Sequence, residues 1–166
     1  MEIRKAQEND LIEVLYLIGR SKQDLRDNEL YHWNSTYTSR ELVREDVFNG
    51  NTYILLENKV IVGTVTLYEK NHNDVYANVE FLPEKFMILR RLVVFSTFQQ
   101  KGYASALLKH ATDLASEQKF DSIITEAYYK NERYIEALKK NGFNEAGKIS
   151  LPPQELVFDC FEKKLN

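Results

Sequence analysis

At 166 residues with a formal net charge of −3, the chain is long enough to bury one hydrophobic core and lacks the basic surplus of a general nucleic-acid binder. It has no run of about 18 apolar residues, the length a membrane span needs, and the opening MEIRKAQEND has no apolar signal-peptide core. The single cysteine, Cys160, excludes an internal disulfide, and the scattered His32, His72 and His110 form no metal-ligand spacing.

These features predict one domain over residues 1–166, cytoplasmic, with no metal and with no nucleic acid or membrane as partner. In chain order, MEIRKA alternates and reads as a short first strand. ENDLIEVLYLIGR follows as a helix, capped at Asn9 or Asp10, with Leu11, Val14, Leu15 and Ile18 at helical spacing. The next stretch, KQDLRDNELYHWNSTYT, is polar and irregular and holds the only tryptophan. SRELVREDVFNG predicts a second helix, capped by Ser39 and stopped by Gly50.

NTYILLENKVIVGTVTLYEK is two β-rich runs around Asn58-Lys59, a hairpin signal, and NHNDVYANVEFLPEKF is a looser connection. MILRRLVV is a strongly β-biased strand. From about Gly102 to Gln118, Ala104, Leu107, Leu108, Ala111, Leu114 and Ala115 share one helical face. FDSIITEA reads as another strand, NERYIEALKKNGF as a helix ending at Gly142, and NEAGKI and ELVFDCFEKKL as closing strands around Pro152-Pro153. The order predicts an α/β chain: a mixed, mostly antiparallel sheet with one parallel strand pair in the middle and helices on both faces.

The stretch QQKGYASALL begins at Gln99, directly after RLVVFSTF. A strand, a turn and a helix start aim unpaired N–H groups and a partial positive charge at one point, which is an anion site. Gly102 has no Cβ and lets a phosphate approach the backbone, Ala104 is nearly as small, and Lys101 adds a charge. A glycine that merely permits the turn is the plainer alternative.

RLVVFSTFQQKGYASALL resembles the main motif of the GNAT superfamily of acyl-CoA-dependent N-acyltransferases, with Gln99, Gln100, Lys101, Gly102, Tyr103 and Ala104 filling its [QR]-x-x-G-x-[GA] turn. NERYIEALKKNGF is similar to that family's second segment at Asn131, Lys140, Gly142 and Phe143. FDCFEKKL and YHWNSTYTSRELVREDVFNG look like a bacterial subgroup with no single defined substrate. The resemblance covers the whole chain. It implies that acetyl-CoA lies between MILRRLVV and FDSIITEA, two parallel strands that splay apart. Its pyrophosphate would rest on the amides from Gln100 to Ala104, its pantetheine arm would pair with Leu92, Val93 and Val94, and Asn131 would bind near the thioester.

An amine attacking a thioester has three needs: loss of the ammonium proton, a donor for the oxyanion, and a proton for the leaving thiolate. The resemblance gives the oxyanion to the N–H of Val94. Glu126 and Glu80 are the candidate bases, each with an ion pair to Arg90 or Arg91 as the alternative. Adjacent strand residues point to opposite faces, so at most one of the two arginines should face the site. The family's usual tyrosine acid falls on Leu138, and Tyr134, one turn earlier, is the substitute, with Tyr128 and Tyr129 also near. Two functions follow: an N-acetyltransferase acting on a small-molecule or protein amine, or a non-catalytic acyl-CoA-binding module, motivated by Leu138. Trp33 and Tyr37 are candidates for an aromatic acceptor wall, with core packing the alternative for Trp33, and the closing strands offer an edge for a homodimer.

Overall fold

The structure, a computed structural model, describes residues 1–69, 83–151 and 156–165. Glu80, His72, Pro152-Pro153 and most of the connection expected over 71–86 lie outside the described residues. The strands are β1 (Glu2–Lys5), β2 (Thr52–Glu57), β3 (Val60–Tyr68), β4 (Phe86–Val94), β5 (Ser122–Tyr128), β6 (Asn144–Leu151) and β7 (Leu156–Lys164). The helices are α1 (Leu11–Asp27), α2 (Arg40–Phe48), α3 (Tyr103–Glu117) and α4 (Glu132–Lys140). The seven strands form one mixed sheet in the order β1-β2-β3-β4-β5-β7-β6. β4 and β5 are the parallel pair, while β1–β2, β2–β3, β5–β7 and β6–β7 run antiparallel, as the alternation of elements predicts. Residue contacts divide the chain into two compact units, one of residues 1–67 and 91–107, the other of 68–90 and 108–166.

In the first unit, α1 starts at a buried carboxylate. Asp10 takes the guanidinium of Arg4 at 2.8 Å and the N–H of Gln7 at 2.7 Å, and the Arg4 hydrogen bond holds its carboxyl below the usual range. α1 runs on to Asp27, through the stretch expected to be irregular. Its last turns contain no glycine or proline, and i,i+4 contacts support them: Gln23 to Asp27 at 2.8 Å and Arg20 to Asp24 at 3.7 Å. The Ser39 hydroxyl caps α2 by accepting the Leu42 N–H at 3.2 Å. Asn58 and Lys59 both have positive φ, 50° and 68°, the conformation of a two-residue hairpin turn. Val14, Leu17, Ile18, Val43, Val47, Ile54 and Val93 close the core of this unit. β3 passes β4 at Gly63, where an added Cβ would lie 2.8 Å from the Val93 carbonyl oxygen. Only glycine fits there.

In the second unit, Phe86, Ile88, Ile124, Ile149, Phe158 and Cys160 pack together. α4 buries Leu138 completely. β6 and β7 shift register between Glu145 and Gly147. The parallel ladder is short: it runs from Phe86↔Ser122 to Ile88↔Ile124, although β4 continues to Val94 and β5 to Tyr128.

Candidate functional site

The expected anion turn belongs to the first unit. A short 3-10 turn, Ser96–Phe98, leads from β4 to Gln99. Gln100 is at φ 63° and Gly102 at φ 82°, so the chain passes twice through the left-handed region just before α3. A Cβ at Gly102 would meet nothing within 4 Å, which leaves open space in front of the helix start. Ala106 is the first helical donor, giving its N–H to the Gly102 carbonyl at 3.0 Å. Tyr103 and Ala104 therefore lie in the first turn, whose N–H groups have no acceptor within the helix. Lys101 is exposed, with Nζ 5.2 Å from the Phe98 ring centre, and Tyr103 stands 6.4 Å from the same ring.

The strand before this turn is oriented by its backbone. Phe95 donates its N–H to the Val62 carbonyl of β3 at 2.8 Å. Successive N–H groups of a strand point to opposite edges, so the N–H of Val94 points away from β3. The Val94 carbonyl points the same way and accepts from Gln99 Nε2 at 3.0 Å. That bond ties the turn to the end of β4, and reading the motif alone misses it. Leu92 and Val94 are partly exposed, while Val93 is buried.

Both arginines of β4 are taken, and they go separate ways. Arg91 has φ 48°, which breaks the simple alternation of the strand. Its buried guanidinium pairs with the buried carboxylate of Asp46 on α2. Its N–H donates to the Tyr37 hydroxyl at 3.3 Å, and Nη1 donates to the Tyr37 carbonyl at 3.4 Å. In the second unit, Arg90 Nε lies 2.6 Å from Glu126 Oε1, and both side chains are largely buried. The candidate base is thus the arginine-paired carboxylate foreseen as its alternative. A proton accepted by Glu126 has to be taken within that pair.

The other candidates of the second unit are also engaged. The Tyr134 hydroxyl is 2.9 Å from Thr125 Oγ1, either of which can donate. Asn131 caps α4, its Oδ1 accepting the Tyr134 N–H at 3.5 Å, so its amide NH2 is the end suited to a ligand. Leu138, where a tyrosine was to be expected, is fully buried. Tyr128 packs on Tyr129 and Phe158 at 5.0 and 5.7 Å.

Trp33 packs against the core of the first unit and contacts Tyr37 at 5.7 Å between ring centres, so it both packs and borders Tyr37. His32 is buried, and burial lowers its pKa to about 4. Among the described residues, no group of three His, Cys, Asp or Glu side chains could hold a metal ion, and no helix is long and apolar enough to cross a membrane. The residues that sequence reasoning misses are partners: Asp46, Thr125 and the Val94 carbonyl. Asp46 lies 45 positions from Arg91, and no local pattern joins them.

A family model described as the acetyltransferase (GNAT) family matches residues 14–143. Among solved structures, the chain is similar to a GNAT-family acetyltransferase of Streptococcus agalactiae 2603, at 19% identity and TM-score 0.85, with 98% of this chain and 94% of that chain covered. It is similar to the PaiA N-acetyltransferase of Thermoplasma acidophilum in complex with coenzyme A, at 16% identity and TM-score 0.74, with 98% of each chain covered. A ribosomal-protein-alanine N-acetyltransferase of Brucella melitensis is similar at 22% identity and TM-score 0.75, with 99% and 100% covered. No curated protein matches the sequence. At these identities the structural likeness is one of fold.

Proposed function

The chain belongs to the acetyltransferase (GNAT) family, and on that premise we propose that it moves the acetyl group of acetyl-CoA to a primary amine by direct attack, in the cytoplasm and as one 166-residue domain. The observation that carries the proposal is the start of α3. There the Gly102 turn at φ 82° fronts open space and first-turn amides, which is what a pyrophosphate needs. The fit extends to the strand. Leu92 and Val94, both partly exposed, offer backbone groups to an extended arm.

Acetyl-CoA supplies the activated acetyl group as a thioester. The protein's own tasks are then divided. Gln100 to Ala104 hold the pyrophosphate and Gln99 fixes the turn. The Val94 N–H donates to the carbonyl oxygen as negative charge grows on it. Asn131 orients the arm through its amide NH2. Glu126 takes the ammonium proton of the acceptor directly or through water, with Arg90 holding the carboxylate in place. The amine nitrogen bonds to the acetyl carbon and gives up its remaining extra proton to water, the carbon–sulfur bond breaks, and the sulfur leaves with the electron pair. Tyr134, held by Thr125 at 2.9 Å, gives that sulfur a proton through water and regains one from solvent. Trp33 and Tyr37 border the acceptor, a small-molecule or protein amine.

Leu138 favours a second reading, an acyl-CoA-binding module without turnover, because a fully buried leucine stands where the family's pattern has an acid. One assay separates the two readings. Release of CoA thiol, followed with a thiol-reactive dye, is measured against a panel of polyamines, amino acids, aminoglycosides and peptide N-termini. Cys160 adds no background, since it is buried and its thiol is pushed up to about 12, first by burial and then by Glu126 and Glu162. Amine-dependent release supports the transferase. Acetyl-CoA binding with no release from any amine supports the module.

A further inference from the structure

Arg91 is more than the partner of one carboxylate. A non-glycine residue in the left-handed region is held there only when its surroundings over-determine it. At Arg91 the surroundings do. Its φ of 48° turns its N–H onto the Tyr37 hydroxyl at 3.3 Å. Its guanidinium spans Asp46 on α2 and the Tyr37 carbonyl at 3.4 Å, and its central carbon lies 5.2 Å from the Tyr37 ring centre. A planar fork of five donors can make these contacts at once, and the point charge of a lysine cannot.

Tyr37 belongs to the segment between α1 and α2, which closes on itself around Asn34. The Tyr37 N–H donates to Asn34 Oδ1 at 2.8 Å and the Thr38 hydroxyl to the Asn34 carbonyl at 2.9 Å. Trp33, at the start of that turn, packs on Tyr37. Arg91 therefore joins two things. Its backbone sets the direction of Leu92 to Val94, the next three residues, and its side chain fixes the Trp33–Tyr37 segment.

We propose that Arg91 is a positioning residue that holds the Trp33–Tyr37 segment in register with Val94, and so determines which amine reaches the acetyl group. The acceptor half of this inference rests on the transferase reading. The clamp itself does not.

The test uses the full chain and two variants. Arg91→Lys keeps a charge for Asp46 and loses the fork. Tyr37→Phe keeps the ring and removes the hydroxyl that receives the Arg91 N–H, and it remains informative if Arg91→Lys does not fold. Trp33 is the only tryptophan, so its emission and its quenching by acrylamide report the segment without any substrate. In a folded variant the expected result is stronger Trp33 quenching with red-shifted emission, and an acceptor KM raised about tenfold or more, with acetyl-CoA affinity unchanged. Unchanged Trp33 quenching in both variants overturns the clamp. Parallel losses for amine and acetyl-CoA, or lower thermal stability without a change in acceptor KM, overturn the positioning role and leave a structural one. If the wild-type chain acetylates no amine in the panel, the transferase reading fails and takes the acceptor half with it. Trp33 quenching still decides the clamp.

Discussion

The two units carry their candidate functional groups in different ways. In the first unit the candidate cofactor-binding groups are backbone: amides at the start of α3, a glycine at φ 82°, and the Val94 N–H aimed away from β3. In the second they are side chains already bound to something else: Glu126 to Arg90, Tyr134 to Thr125, and Asn131 to the start of α4. A backbone site is built by local conformation and needs few identities. A side-chain site is defined by its partners, which come from distant parts of the chain. Cofactor binding and proton transfer should therefore respond to different substitutions.

The largest effect is expected where the backbone site depends on a buried charge. Asp46→Ala leaves the Arg91 guanidinium buried without its carboxylate, and should destabilise the fold by about 3–5 kcal/mol in denaturant unfolding. The paired change Arg91→Met with Asp46→Leu should recover most of that loss, because an ion pair replaced by apolar groups of similar size is often close to neutral. A cost below about 1 kcal/mol for Asp46→Ala would mean that the pair behaves as a solvated one.

In the second unit, Glu126→Gln should lower turnover by about 10²-fold while acetyl-CoA affinity stays near that of the wild type. Full activity in the variant would move the base role to Glu80 or to a chain of waters, and a matching fall in affinity would end the separation of the two units.

A smaller effect is expected at Tyr134. A thiol has a reference pKa of about 8.5, so a thiolate leaves near neutral pH with little help. Tyr134→Phe should slow turnover by about tenfold, with about 1 kcal/mol of stability lost with the Thr125 contact. Wild-type rates would show that Tyr134 only packs.

The same contrast governs what can be read from the sequence. The turn at Gly102, the hairpin at Asn58-Lys59 and the cap at Ser39 are legible because each depends on residues within a few positions that favour one conformation. The parallel β4–β5 pair is legible from the order of strands and helices. The length of α1 is harder, since its last turns are polar apart from Leu25 and are supported by i,i+4 contacts rather than by an apolar stripe. The bend at Arg91 is not legible, because nothing in arginine favours a positive φ, and its partners Tyr37 and Asp46 lie 54 and 45 residues away. For Glu126, an arginine partner can be foreseen.

If the Gln99–Ala104 turn holds the pyrophosphate of acetyl-CoA, calorimetric titration of acetyl-CoA into Gly102 variants will register it. Asparagine tolerates the left-handed region and valine does not, while the added Cβ meets no protein atom in either case. A Gly102→Asn chain should fold like the wild type and yet bind acetyl-CoA about tenfold more weakly or worse, because its side chain fills the space where the phosphates must approach the amides. Gly102→Val should bind more weakly still. Wild-type affinity in a folded Gly102→Asn chain would mean that the pyrophosphate does not rest on this turn.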